Sequence, residues 1–268
     1  MFVVKIGGTS GVDTENVLED LSETDEEFVV VHGGSGEVDR ISNELDRPPR
    51  YVRSPSGIES RYTDEDAMEV FKMAMPGLIN TDLVEGLQDR DVDAVGLSGV
   101  DGRLLEGKRK DTLIVQEDDK KKVLRGDHSG KIENVNTELL NLHLDAGYSP
   151  VVGVPMVSYE GTAVNADADR AAAAIAGALE CKLVMLSDVP GVLRDPDDPD
   201  TVIESVGYGE IEDVMDEYAE GKMKKKVLAS REALDSGATE AVVASANRDE
   251  PVSAALSGDG TVFGGDGE

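Results

Sequence analysis

The chain has 268 residues, enough for one large α/β domain with a substantial core, and its 56 acidic residues against 26 basic ones leave a formal charge of −30. That balance excludes a general binder of nucleic acid or anionic membrane, since both need a basic footprint; 39% hydrophobic residues in clear segments exclude intrinsic disorder. A carboxylate-coated surface suits a halophilic cytosol, where molar salt shortens the Debye length to ~3 Å and self-repulsion costs little. An acidic enzyme of ordinary cytosol is the alternative.

The chain opens directly on an apolar strand at 2–6, with no run of about 18 apolar residues anywhere, so a cytoplasmic protein without leader or membrane span is expected. Further strands are predicted at 28–31, 94–97, 150–152, 183–186 and 241–244. Most read as continuous apolar runs, the pattern of strands covered on both faces. Helices are predicted near 13–22, 36–46, 64–75, 77–90, 135–146, 167–179, 209–218, 223–236 and 251–257. Thr63, followed by three acids, reads as the N-cap of the third of these. Strand–helix alternation predicts an α/β fold, a three-layer αβα sandwich with a mainly parallel central sheet. Two stretches interrupt it. Residues 103–131 read as a β-hairpin insertion, and 194–200 as an exposed acidic turn held open by two prolines. The tail from Gly264 to Glu268 is expected to fray. Cys181, the lone cysteine, follows an alanine-rich helix and precedes a strand, so it reads as a buried inert thiol. His32, His128 and His143 lie far apart, which argues against a zinc site.

Two glycine clusters, Gly7-Gly8 and Gly33-Gly34-Ser35-Gly36, each follow a buried strand and precede a helix. Such turns expose backbone N–H groups to phosphate or carboxylate at the carboxyl end of a parallel sheet. Neither matches the P-loop or dinucleotide spacing. Lys5, a charge among Val3, Val4 and Ile6, is expensive to bury without an anion; an edge strand with a solvated lysine is the alternative.

Six motifs then occur together: Lys5-Ile6-Gly7-Gly8, His32-Gly33-Gly34, Arg61-Tyr62-Thr63-Asp64, Asn165 to Ala172, Leu186 to Leu193, and Met223-Lys224-Lys225-Lys226-Val227. In this order they resemble the amino-acid kinases, with the carbamate-kinase-like fold, and most closely the acetylglutamate kinase branch. Residues Ser54 to Gly57, Gly96 to Gly102 and Arg125-Gly126-Asp127 are similar to the branch acting on glutamate or 2-aminoadipate held by an amino-group carrier protein. Ser35 stands where acetylglutamate kinases carry a third glycine.

The resemblance implies a single kinase domain over 1–268, with an amino-acid lobe to about residue 165 and an ATP lobe over 166–263. It implies Lys5 and Lys226 on the transferring phosphoryl group, and Asp169 orienting both. The choice of Lys226 over Lys224 and Lys225 follows the family's Met-x-x-Lys-Val spacing. Substrate would meet Gly33, Gly34, Ser35, Arg61 and Asn165. ATP would meet Gly7, Gly8, Ser187, Asp188, Val189, Gly191, Leu193 and Met223 besides the two lysines, and Mg²⁺ would be held through its phosphates. The Ser187–Gly191 turn could equally be structural, since Pro-Gly is ordinary turn chemistry. Phosphorylating a carboxylate needs no general base, because that group is already ionised at neutral pH.

The implied partner is a small acidic carrier protein, and the implied assembly a homodimer to which Met68, Phe71, Met73 and Met75 could contribute, plain core being an equal alternative for these four. The nine basic residues in 103–131 leave that stretch at +3 against −33 for the remainder, a candidate docking surface for such a carrier. Two alternatives stay open: a kinase of free acetylglutamate, and a sensing module that has kept the fold without catalysis.

Overall fold

Strand β1 (Phe2–Ile6) leads into α1 (Thr14–Ser22), β2 (Phe28–His32) and α2 (Ser35–Glu44) in a computed structural model describing residues 1–8, 11–55, 57, 59–117 and 120–264. A small antiparallel pair follows, β3 (Arg50–Arg53) with β4 (Glu59–Tyr62). Helix α3 (Glu65–Lys72) passes through a π-helical stretch, Met73–Ile79, into α4 (Asn80–Gln88). Pro76 lies in that stretch; it has no N–H to give, and the widened turn accommodates it. Then come β5 (Ala94–Gly99), the long hairpin β6 (Leu105–Glu117) and β7 (Lys120–Val135), α5 (Thr137–Asp145), β8 (Ser149–Ser158) and β9 (Ala163–Val164). The rest is α6 (Ala168–Ala178), β10 (Lys182–Ser187), β11 (Ser205–Val206), α7 (Ile211–Tyr218), α8 (Gly221–Asp235), β12 (Ala241–Ser245), α9 (Pro251–Leu256) and β13 (Thr261–Phe263).

The main sheet runs β11-β13-β12-β10-β1-β2-β8-β6-β7, with β5 and β9 also paired to β8. Its centre, β12-β10-β1-β2-β8, is parallel throughout. Side chains alternate across it. Val3, Val29, Val31, Leu183, Met185 and Val243 face the small-residue surface of α6 together with α8, α2, α3 and α5. Phe2, Val4, Ile6, Phe28, Val30 and Val184 face α1, α4 and α9. Three layers result, as the strand–helix alternation predicts. Asp20 fastens the second face: its carboxylate accepts Val252 N at 2.6 Å, Ser253 N at 3.0 Å and Ser253 Oγ at 2.6 Å, capping α9 from α1.

Several readings need correction. The N-cap of α3 is Asp64, whose side chain accepts Ala67 N at 2.9 Å; Thr63 is buried instead. The strand at 150–152 extends to ten residues, Ser149–Ser158, because its second half leaves β2, keeps β5 through Gly99 and Met156 across a register shift, and pairs with β6 and β9. Strands β3 and β4 are polar and largely exposed, so no apolar pattern announced them. Met68, Phe71 and Met75 are core, and of the four proposed interface residues only Met73 is exposed. Gly264 is not loose: its N–H donates to Val206 O at 3.2 Å. The remaining tail lies outside the described residues, as do Ser56 of the quoted segments and Thr9 and Ser10 just after Gly8. Among the described residues no helix is long and apolar enough to cross a membrane.

Candidate active site

Lys5 stands in the middle of the sheet, because β1 pairs with β10 on one side and β2 on the other. An edge strand with a solvated lysine is thereby ruled out. Alternation sends Lys5 to the α6 face, where Asp169, in the first turn of α6, lies 2.6 Å from its Nζ. Lys226 reaches the same Asp169 oxygen from α8 at 3.7 Å. All three residues are buried. Burial alone would raise the Asp169 carboxyl, but Lys5 and then Lys226 hold it below the ordinary carboxylate range. Burial, reinforced by Lys5, pulls Lys226 down to about 8. Two ammonium groups share one carboxylate, which leaves a buried unit of positive charge suited to an anion.

The two glycine turns abut beside these lysines. A Cβ on Gly8 would fall 2.6 Å from the Gly33 carbonyl carbon, Gly33 N donates to Ile6 O at 3.1 Å, and Gly36 N donates to Gly8 O at 3.3 Å. A Cβ on Gly34 would meet Ile79 Cδ1 at 2.2 Å and Met75 Sδ at 2.7 Å, so the π-helical stretch packs directly on that turn. Among the described residues the N–H groups of Gly8 and Gly34 find no acceptor. A cleft of about 460 Å³ opens here, lined by Gly7, Gly8, Thr14, Gly33, Gly34 and Arg40. Ile6 and His32 also line it, and they point to the sheet face opposite Lys5.

Arg61, on β4, points inward with little side-chain exposure. Its Nη2 lies 2.7 Å from Asp39 Oδ1 and donates to Ser35 O at 3.1 Å and Tyr51 Oη at 3.2 Å; the guanidinium sits 5.4 Å from the Tyr51 ring centre. Tyr51 in turn donates to Asp39 Oδ2 at 2.8 Å. Arg61 therefore joins the small hairpin to the start of α2, where Ser35 follows the glycines.

Asn165 sits opposite, its Nδ2 donating to Thr63 Oγ1 at 3.2 Å and its N to His128 O at 2.6 Å. The buried Asp127 ties this corner together. It accepts Thr63 N at 3.1 Å and Ser129 N at 3.0 Å, and also bonds Ser129 Oγ. Arg109 Nε donates to Asp127 O at 2.9 Å, and Tyr62 Oη to Arg125 O at 2.7 Å. The base of the β6–β7 hairpin thus forms the wall beside Arg61 and Asn165.

On the α8 side, Ser187 is buried at the end of β10, and Asp188 follows it exposed, near enough to Lys226 to act on its charge. Gly191 is required by packing: a Cβ there would stand 2.6 Å from Thr261 Oγ1, which accepts Val192 N at 2.8 Å. Leu193 bridges to Val202, so this part of the turn is also structural. Val189 and Met223 are half-buried beside it. Lys225, passed over for Lys226 on the family's spacing, donates to Glu59 O at 3.1 Å and so spans from α8 to β4.

Other contributors were missed. Asp39 and Tyr51 carry no motif signal. Asn80 lies far from His32 in sequence, yet its Nδ2 is 3.1 Å from His32 Nε2. Asp127 fell inside a quoted motif without a role.

A family model described as the amino acid kinase family matches residues 1–245. The chain is 49% identical over 266 residues to a [LysW]-aminoadipate kinase of Deinococcus radiodurans, covering 98% of this chain and 91% of that one. It is 43% identical over 269 residues to a [LysW]-aminoadipate kinase of Thermus thermophilus, covering 98% and 99%. Among solved structures, N-acetylglutamate synthase of Neisseria gonorrhoeae superimposes with a TM-score of 0.76 at 24% identity; this chain is fully covered but spans only 60% of that one, and the likeness concerns the fold. With the family model matching most of its length, the chain belongs to the amino acid kinase family.

Proposed function

We propose that this protein transfers the γ-phosphoryl group of ATP to the side-chain carboxylate of L-glutamate or L-2-aminoadipate carried on a small acidic carrier protein, giving an acyl phosphate for arginine or lysine biosynthesis. The observation that carries this reading is the buried Lys5–Asp169–Lys226 cluster beside two glycine turns with unpartnered N–H groups, in a chain nearly half identical to a [LysW]-aminoadipate kinase.

The chemistry follows from charge. Both reactants are anions, so the enzyme has to neutralise and align them. Lys5 and Lys226 stabilise charge developing on the transferred group, and Asp169 keeps the two ammonium groups at fixed positions without reacting. Gly34 and Ser35 offer backbone N–H groups to the acceptor carboxylate, and Gly33, whose own N–H is taken by Ile6 O, lets it approach the turn. Arg61 takes the α-carboxylate and Asn165 the amide that links substrate to carrier. Gly7 and Gly8 line the phosphates, while Ser187, Asp188, Val189, Gly191, Leu193 and Met223 border the adenosine. Asp169 is already committed to two lysines, so Mg²⁺ would be held through ATP phosphate oxygens and would shield their charge. The N-terminal part to about residue 165 serves the amino acid and the remainder ATP.

The carrier docks on the β6–β7 hairpin in this reading. Ile114 and Val123 pair directly across it, 58% and 61% exposed, with Lys121 and Arg125 each two residues from Val123. An exposed apolar pair with a basic rim suits an acidic partner. Arg109 is tied to Asp127, and Lys108 to Glu133 at 3.2 Å, so these two are less available than Lys110, Lys121 and Arg125. Reversing the last three to Glu should raise KM for carrier-linked substrate several-fold and leave KM for ATP alone; wild-type kinetics would remove the hairpin from docking. A cytoplasmic, halophilic setting and a homodimer complete the proposal.

The deciding assay presents glutamate and aminoadipate on purified carrier, with free N-acetylglutamate in parallel. Turnover only with carrier-linked acceptor is expected. Rapid turnover of the free compound would overturn the carrier requirement, and no turnover of any acceptor would leave the sensing module.

A further inference from the structure

His32 closes β2 immediately before Gly33-Gly34, yet it points to the sheet face opposite Lys5 and makes no hydrogen bond to Lys5, Asp169 or Lys226. It is buried, and its surroundings are built for it. A Cβ on Gly153 would lie 2.5 Å from His32 Nε2, so the glycine in β8 clears room for the ring. A Cβ on Gly96 of β5 would lie 2.1 Å from Asn80 Oδ1, so a second glycine clears room for its partner.

The hydrogen bonds fix the ring's proton. Asn80 Nδ2 is 2.8 Å from Val151 O, a group that only accepts, so the amide nitrogen rather than its oxygen faces that way. The same nitrogen approaches His32 Nε2 at 3.1 Å, and its second hydrogen makes Nε2 the acceptor. The ring hydrogen is therefore on Nδ1, 3.1 Å from Gly33 O. A directed chain results, from Asn80 through His32 to the Gly33 carbonyl.

A trans peptide points its C=O and N–H to opposite sides. Holding Gly33 O toward His32 turns the Gly34 N–H away from the ring, toward the side of the sheet that carries Lys5. That N–H has no acceptor among the described residues, and Gly34 begins the turn into α2. We propose that His32 is a positioning residue, with Asn80 setting its tautomer: its Nδ1–H holds the Gly33 carbonyl so that the Gly34 N–H is pre-aimed at the anion approaching Lys5. Glycine has no side chain to hold the turn, and an unheld Gly-Gly peptide would rotate and lose its aim.

This rests on the carboxyl-kinase reading of the site, and the test separates the two. In the ligand-free wild-type protein, long-range ¹H–¹⁵N NMR at neutral pH should show His32 protonated at Nδ1 and bare at Nε2; the opposite tautomer overturns the proposal whatever the activity. For kinetics, His32→Asn places an amide nitrogen where Nδ1 was, whereas His32→Gln moves it beyond reach of Gly33 O. His32→Asn should keep kcat within about fivefold of wild type and His32→Gln should lose roughly thirtyfold or more, each with KM for ATP within about twofold. Equal kcat in the two variants, or a loss confined to KM, overturns the aiming role. If no acceptor is phosphorylated the functional reading fails, and the tautomer measurement still decides this one.

Discussion

Gly8 and Gly34 meet backbone to backbone, so that a Cβ on Gly8 would fall 2.0 Å from the amide nitrogen of Gly34. The contact lies between two rigid turns at the ends of neighbouring strands, and no flexible side chain can yield. Gly8→Ala should therefore cost about 1–3 kcal/mol by overpacking and abolish most activity by displacing the Gly34 N–H. Gly36→Ala is the control. Its Cβ would stand 3.4 Å from Gly8 O, and the residue is already helical, so stability should hold or rise by up to about 1 kcal/mol. Thermal unfolding of both variants checks the contrast; equal melting temperatures would show that the turns can separate freely.

Lys226 should make the proposed reaction sensitive to base. Its ammonium is pulled down to about 8 by burial and by Lys5, so the free enzyme loses this charge as pH rises through that value. kcat/KM for ATP should show a limb falling above about pH 8. Lys226→Arg should abolish the limb, since a guanidinium stays charged, at some loss of rate from altered reach. Lys226→Ala should lower kcat by roughly a hundredfold or more, with ATP affinity changing less. A pH profile with the same limb in Lys226→Arg would assign the titration elsewhere.

What the sequence discloses of this fold is what local pattern can carry. The continuous apolar runs announced the parallel centre, and the glycine pairs with Lys5 announced a crevice at its carboxyl end. The β3–β4 hairpin stayed hidden because its strands are polar and exposed. The network around Asp127 stayed hidden for another reason: Thr63 meets Asp127 and Asn165 across 64 and 102 residues of chain, and hydrogen bonds of that range leave no periodic trace. Thr63 itself was misread as a helix cap. A threonine before three acids is good cap chemistry, but Asp64 takes that place and frees Thr63 for the buried network.

His32 should make the fold sensitive to acid. Burial holds its imidazole down at about 4, against an ordinary 6.5. Between those values the unfolded chain binds a proton that the folded protein refuses, so stability is full above about pH 6.5 and falls as pH drops toward 4. The lowered pKa corresponds to a loss on the order of 3 kcal/mol across that window. Urea unfolding of wild type and His32→Asn at pH 7 and pH 4.5 isolates the term from the many carboxylates, which both proteins share. The difference between the two should shift in favour of the variant at the lower pH. No shift would mean that the His32 pocket admits the charged ring.

Arg61 is held before any substrate arrives, by Asp39 at 2.7 Å and by Ser35 O and Tyr51 Oη. Each of these contacts uses Nη2, and among the described residues Nε and Nη1 make no hydrogen bond. A planar fork fixed at one corner can offer the rest of its donors to a carboxylate with little further ordering. Arg61→Lys keeps the charge but loses the fork, and should raise KM for the amino-acid substrate about tenfold, equivalent to about 1.4 kcal/mol. Arg61→Ala should raise it further, on the order of a hundredfold, because Asp39 is then left without its cation. KM for ATP should stay within about twofold in both variants. Steady-state titration of carrier-linked substrate at saturating ATP reads the effect directly. Should both Michaelis constants rise together with a fall in melting temperature, Arg61 would be a strut between the small hairpin and α2, with no part in holding substrate.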